Sequence, residues 1–320
     1  VPVLIREGPP EENPWGVSFM TMFHMSNDSH LFRTRAELEA DGWRLEGNVF
    51  VRELPELGED AAVRRDQARA AHVALAGGVG EPPEADTNGA AYRGVGAQPA
   101  EGPTAYRGVG AEPAEGLGAV TGAGGDGSNE AASGSTERLE RYLPLYEAKM
   151  VHHYDHRWAT YDGLETRDMT PAEKADPAAV ALPRYWVPET EVEARLKGRW
   201  DRRWLLGWRD ITNSTNERTV IASVVPRVGV GHTLPLMVPE AATPRDVCCL
   251  LASLNSLAHD YAARQKMGGT HLTFGYLNQL PVLPPSTYAE PAPWSASQTV
   301  AEWMLPRVLE LVYTSWEMHP

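Results

Sequence analysis

The sequence predicts a mixed α/β fold interrupted by a long low-complexity insertion, and three observations predict it. Trp43–Val51 alternates well enough to be a strand, and Arg203–Arg209 and Thr219–Val225 read as two more. Val247, Leu250, Leu251, Leu254, Leu257, Ala258 and Tyr261 form an apolar stripe that reads as one long helix over Pro244–Met267, stopped by Gly268-Gly269. Between residues 57 and 137 neither periodicity is present.

Residues 1–56 are ordinary globular sequence, with Trp15, Phe19, Met20, Phe23, Trp43 and Phe50 available for a core. Thr34–Ala40 predicts a short helix, with Thr34 as N-cap and Glu37 completing a capping box. Asp41-Gly42 ends it, and Trp43–Val51 follows as a strand. Within the insertion, residues 71–136 hold 16 of the 29 glycines and only two aromatics, Tyr92 and Tyr106. The segment from Ala91 to Gly102 is duplicated from Ala105, with Glu112 in place of Gln98. So little apolar surface cannot offset the entropy of ordering, and a solenoid would need a shared buried face. The segment therefore reads as a flexible insertion.

Order returns at residue 138, and eight of the ten tryptophans lie between Trp158 and Trp316. The strands Arg203–Arg209 and Thr219–Val225 are joined by the polar stretch Asp210–Glu217. Glu189–Lys197 reads as an amphipathic helix, and Thr299–Trp316 as another, bent or broken before Pro306. The expected organisation is a leading segment (1–56), the insertion (57–137) and a main domain (138–320).

Composition excludes several classes. No apolar run approaches the roughly 20 residues of a membrane span. The two cysteines, Cys248 and Cys249, are adjacent and cannot easily form an unstrained disulfide, so a reduced, cytoplasmic setting is expected. The first residues, Val-Pro-Val-Leu-Ile, carry neither an initiator Met nor a signal-peptide pattern and read as the interior of a longer polypeptide. Net charge is −14, from 29 basic and 43 acidic residues. Residues 1–140 carry 11 basic and 23 acidic residues, whereas Arg195–Arg227 carries eight and three. A general nucleic-acid coat is excluded; a local basic face is not.

Five segments could carry chemistry. His152, His153, Asp155 and His156 are potential metal ligands at helical spacing, without a second cluster to complete a site. Glu147-Ala148-Lys149 matches the end of a Mg²⁺-dependent nuclease motif, without an acidic partner upstream. Arg209–Arg218 displays Asn213, Thr215, Asn216 and Arg218, and such Asn and Arg side chains read adenine and guanine by paired hydrogen bonds. Arg227-Val-Gly-Val-Gly-His232 and Lys266-Met-Gly-Gly-Thr-His271 are glycine-flanked cations whose amides could approach phosphate.

Taken in order, Leu143–Tyr161, Arg203–Pro226 and Leu254-Asn-Ser to Pro285 resemble the C-terminal part of large bacterial adenine-N6 DNA methyltransferases. These belong to restriction–modification and phage-defence systems, and the resemblance covers residues 1–56 and 138–320. It implies a target-recognition-domain-like curved sheet packed with helices, presenting loops to double-stranded DNA. By that resemblance Lys149, Arg157, Arg199, Arg209, Asn213, Asn216, Arg218 and Lys266 are the DNA-contact candidates. It also implies S-adenosylmethionine as methyl donor, bound by a catalytic domain of the same polypeptide. Asn13-Pro14-Trp15 is similar to that family's N-P-P-(Y/F/W) loop but lacks the second proline, so no catalytic residue is expected here. Two alternatives stand beside this one: a nuclease using Glu147 and Lys149, and a protein-docking module of a defence complex.

Overall fold

A computed structural model of the chain describes residues 3–4, 13–53, 139–240 and 242–319. Two compact units are present, Val1–Leu54 with Glu137–Pro320, and Pro55–Thr136. The described residues all belong to the first; the expected flexible insertion and its repeat lie outside them.

The strands of the first unit are β1 (Val3–Leu4), β2 (Val17–Met20), β3 (Arg44–Glu46), β4 (Val49–Glu53), β5 (Leu139–Tyr146), β6 (Ala159–Asp162) and β7 (Glu165–Asp168). They continue with β8 (Trp186–Pro188), β9 (Trp204–Trp208), β10 (Ala222–Pro226), β11 (Gly229–Val230), β12 (Leu236–Pro239) and β13 (Pro281–Val282). The described helices are α1 (Arg35–Ala40), α2 (Pro171–Ala175), α3 (Glu189–Leu196) and α4 (Pro244–Leu254). α5 (Leu257–Lys266), α6 (Phe274–Leu277), α7 (Pro285–Ala289) and α8 (Val300–Val312) follow.

An antiparallel sheet in the order β10-β9-β12-β2 forms the central layer. Its strands are apolar on both faces, and the two-residue period sorts them between two cores. Leu206, Trp208, Ala222, Val224 and Met237 point into one core, against α4 (Val247, Leu250, Leu251, Leu254) and α8 (Ala301, Val308, Val312). Leu205, Val225, Leu236 and Val238 point into the other, against Leu143, Leu145, Val187 and Val230 of the second sheet and Val192 and Leu196 of α3. That second sheet runs β11-β5-β4-β3, with β8 also paired to β5. Two-sided burial is worth about 25 cal/mol per Å² of apolar surface, which explains why the middle strands carry so few polar residues. The indole N–H of buried Trp208 donates to Leu272 O at 2.8 Å, and that of Trp186 to Asn48 O at 2.7 Å.

The leading segment is not a separate domain, because β2 is an edge of the central sheet and β4 pairs with β5. The pairing Glu53↔Leu139 means the chain leaves and re-enters at one end of a hairpin. Helix α1 forms as expected, with Thr34 and Glu37 closing the capping box. The expected strand Trp43–Val51 is instead the tight hairpin β3–β4, turned by Gly47 at φ +61°. The expected long helix is two. Asn255 turns its side chain onto β10, and Ser256 caps α5 through its bond from His259 N. Helix α8 runs through Pro306 and ends at Val312, with Trp316 in a following 3-10 turn. No described helix is long and apolar enough to cross a membrane.

Candidate nucleic-acid interface

The β9–β10 connection leaves the central sheet at Trp208 and returns at Ala222, which are register partners. Both sides of its foot are fixed. On one side Thr212 N donates to Thr270 O at 3.0 Å and Leu272 N to Asp210 O at 2.7 Å. His271 Nδ1 lies 2.7 Å from Asp210 Oδ2. On the other side stands Asp260 of α5, only 3% exposed, accepting from Thr219 N at 2.7 Å and Val220 N at 2.9 Å. Arg264 donates from Nε to Asp260 at 2.8 Å and from its guanidinium to the carbonyls of Asn216 (2.7 Å) and Glu217. Burial alone would raise the Asp260 carboxyl, but these donors together with Arg218 hold it below its ordinary value.

The tip is ordered from within. Asn213 Oδ1 accepts from Thr215 N (2.8 Å), Thr215 Oγ1 (2.6 Å) and Asn216 N (3.0 Å), an Asx turn. Ser214, Thr215, Asn216 and Glu217 face solvent. Beside the loop, Arg209 Nε donates to Ala148 O at 2.9 Å and Val151 O at 2.8 Å, fixing the turn that carries exposed Lys149. Lys149 Nζ stands 4.6 Å from the Tyr161 ring centre, and Tyr161 Oη donates to Glu147 at 2.6 Å. His24 and His232 stack at 4.6 Å, with Asp210, Glu147 and His271 in electrostatic reach of His232. Burial, then His24, pull the His232 imidazole below its usual value.

Several expected contacts have other work. Arg157 is corrected outright: it is 1% exposed, and its guanidinium donates to the carbonyls of Asp176, Ala179, Lys174 and Thr314. A fork satisfied by four carbonyls inside the protein has no surface to offer DNA. Asn213 shapes the turn with the carbonyl oxygen that base reading would need. Arg218 donates to Asn255 O at 2.5 Å and stands 3.7 Å from Asp260, so it fixes the loop foot. Arg209 supports Lys149 from below. Lys149, Arg199, Asn216 and Lys266 are exposed. Arg199 reaches Phe19 O at 3.3 Å, on β2.

The local basic excess shrinks in the same way. Arg195 pairs with Asp28 and Glu191, Arg227 takes Glu193 in two 2.7 Å bonds, and Arg202 donates to Ala242 O. Lys197, Arg199 and Arg203 remain outward. The glycines between Arg227 and His232 serve packing: a Cβ at Gly229 would stand 2.5 Å from Val187, and Gly231 N already donates to Tyr146 O. Gly268 and Gly269 have open space around them.

The histidine cluster diverges. His153 Nε2 meets Val220 O at 2.7 Å, His156 turns inward to Ser315, His152 packs on Trp158, and Asp155 takes Lys174. Burial pulls His152 and His156 each down to about 4. Among the described residues no group of three His, Cys, Asp or Glu could hold a metal ion. The intervening Tyr154 takes φ +61°, held there by its amide bond to Ala222 O.

Asp260 and Arg264 were not singled out in the sequence. Their four-residue spacing on a helix reads as an ordinary surface ion pair. Nothing local shows that both face a loop some 45 residues upstream. The chain matches no protein-family model, no curated protein and no solved structure.

Proposed function

We propose that this unit is the DNA-recognition portion of a site-specific adenine-N6 DNA methyltransferase of the restriction–modification or phage-defence class. It positions double-stranded DNA for a catalytic domain of the same polypeptide. One observation carries the reading: an exposed polar tip, Ser214–Glu217, stands on a foot locked by Asp260, Arg264 and Arg218, and Arg209 at the start of the same connection holds the turn of exposed Lys149. A base reader must hold its donors still, because each mobile side chain loses entropy on binding. Phosphate contacts from Lys149, Arg199 and Lys266 would set the register, and Asn216 would read a base edge.

S-adenosylmethionine is the methyl donor in this reading, and the described residues do not fit it. The glycine-rich Arg227–His232 segment is closed by Val187 rather than open to a ligand. No methyl-transfer step is assigned to this chain.

The test is fluorescence anisotropy with a randomised duplex pool, followed by sequencing of the bound fraction. Salt-dependent binding with an enriched motif is expected, and Asn216→Ala should cost about 1–3 kcal/mol at one base pair. Arg199→Ala should weaken all sequences about equally. Absence of duplex binding at low salt overturns the proposal. The exposed Leu309, Leu311, Tyr313 and Trp316 favour protein docking as the second reading. Tight, salt-insensitive capture of a partner without DNA binding would support it.

A further inference from the structure

Thr314–Met318 follows α8 as a short strap held by four contacts distant in sequence. Arg157 Nη2 donates to Thr314 O at 2.6 Å, and His156 Nε2 lies 3.0 Å from Ser315 Oγ. Trp316 N donates to Pro177 O at 2.9 Å, and Asn48 Nδ2 donates to Glu317 Oε1 at 2.5 Å. The strap's only acid is thus drawn inside: Glu317 is 12% exposed, with Oε2 3.8 Å from Nε2 of His156, which is 0% exposed.

The groups around that carboxyl leave it poorly compensated. Arg157 has directed both terminal nitrogens to backbone carbonyls, Asp155 is paired with Lys174 at 2.5 Å, and Tyr146 is buried. Glu317 Oε2, His156 Nδ1 and Tyr146 Oη lack hydrogen-bond partners. A carboxylate here would rely on one amide donor, and burying such an ion is strongly unfavourable. Burial accordingly pushes the Glu317 carboxyl up to about 7, and pulls His156 down to about 4.

We infer that buried Glu317 keeps its carboxyl proton beside a neutral His156, and that this proton latches the strap onto the domain. When the proton leaves, the uncompensated carboxylate reaches water only if the strap detaches. Detachment has a structural consequence nearby. Tyr313 and Met318 form part of the wall of an apolar trough of about 930 Å³, also lined by Trp204, Val224, Leu251 and Leu309. The latch therefore controls how far that trough opens.

Hydrogen–deuterium exchange of residues 313–319 in the full chain, corrected for intrinsic rates, tests this between pH 5.5 and 8.5. Between pH 5.5 and about 7 wild-type opening should rise about tenfold per pH unit and then level off, because only in that window does the closed strap keep a proton that the detached carboxyl has lost. In Glu317→Gln the corrected exchange should be flat. Equal pH profiles in the two proteins overturn the inference. If Glu317→Gln does not fold, infrared titration of the wild type decides. A protonated carboxyl band lost near neutrality, in step with strap exchange, supports the latch; no such band above pH 6 overturns it.

Discussion

The Arg157 guanidinium joins Lys174–Ala179 to Thr314 through four carbonyls. Arg157→Ala removes those bonds and leaves their acceptors buried, so a loss of about 3–5 kcal/mol is expected in urea denaturation. Arg157→Lys should not restore it, since an ammonium cannot span the fork. Lys149 is the contrasting case, exposed, with its carbonyl held by Arg209 and its ammonium over the Tyr161 ring. Lys149→Ala should change stability by less than about 0.5 kcal/mol. On the DNA reading it should lower the slope of log affinity against log salt by about 1. An unchanged slope would remove Lys149 from the interface.

At the scale of elements, the break between α4 and α5 places a side-chain amide where a neighbouring strand would run. Asn255 accepts from Ala222 N at 3.0 Å and donates to Ala222 O at 2.9 Å. Asn255→Ala should cost about 2 kcal/mol, because a buried amide loses its partner. Asn255→Asp should not rescue it, since Ala222 O would then face a second acceptor. Arg264→Ala acts on the next element along. It takes a donor from buried Asp260, so it should lower the thermal midpoint while raising hydrogen exchange in the loop whose Ser214, Asn216 and Glu217 carbonyls Arg264 holds. The helix break was open to reading: Asn and Ser are weak helix formers and good caps. The continuous apolar stripe hid it, since Leu257 and Tyr261 continue the spacing yet are 75% and 66% exposed.

For the molecule as a whole, the pairing Glu53↔Leu139 brings the two ends of the insertion together. Deleting residues 71–136 shortens that connection about fourfold, which by loop-closure entropy stabilises by roughly 1 kcal/mol. An unchanged or slightly raised thermal midpoint is expected; a large drop would show that the insertion packs on the domain. The pH dependence has a definite sign. Glu317 binds its proton more tightly folded than unfolded, so its contribution to stability is lost as pH rises from about 4.5 to about 7. His156 is depressed from 6.5 to about 4, so its contribution is lost as pH falls through that window. Glu317→Gln should therefore gain on wild type by up to roughly 3 kcal/mol between pH 4.5 and 7, and no further above it.

The sequence by itself determined the mixed α/β class, the capped helix α1, the strands β9 and β10 and the helix α3. These follow from short-range periodicity and capping, which neighbouring residues dictate. The exposed tip Ser214–Glu217 was legible for the same reason, because its polarity is local. Which cations face outward was decided only by the tertiary structure. Arg157, Arg218 and Arg227 look like Arg199 in sequence, but their fates depend on carbonyls and carboxylates brought from residues 17 to 157 positions away. A guanidinium has five donors and takes whichever acceptors the fold sets around it, and that long-range geometry is written in no single segment.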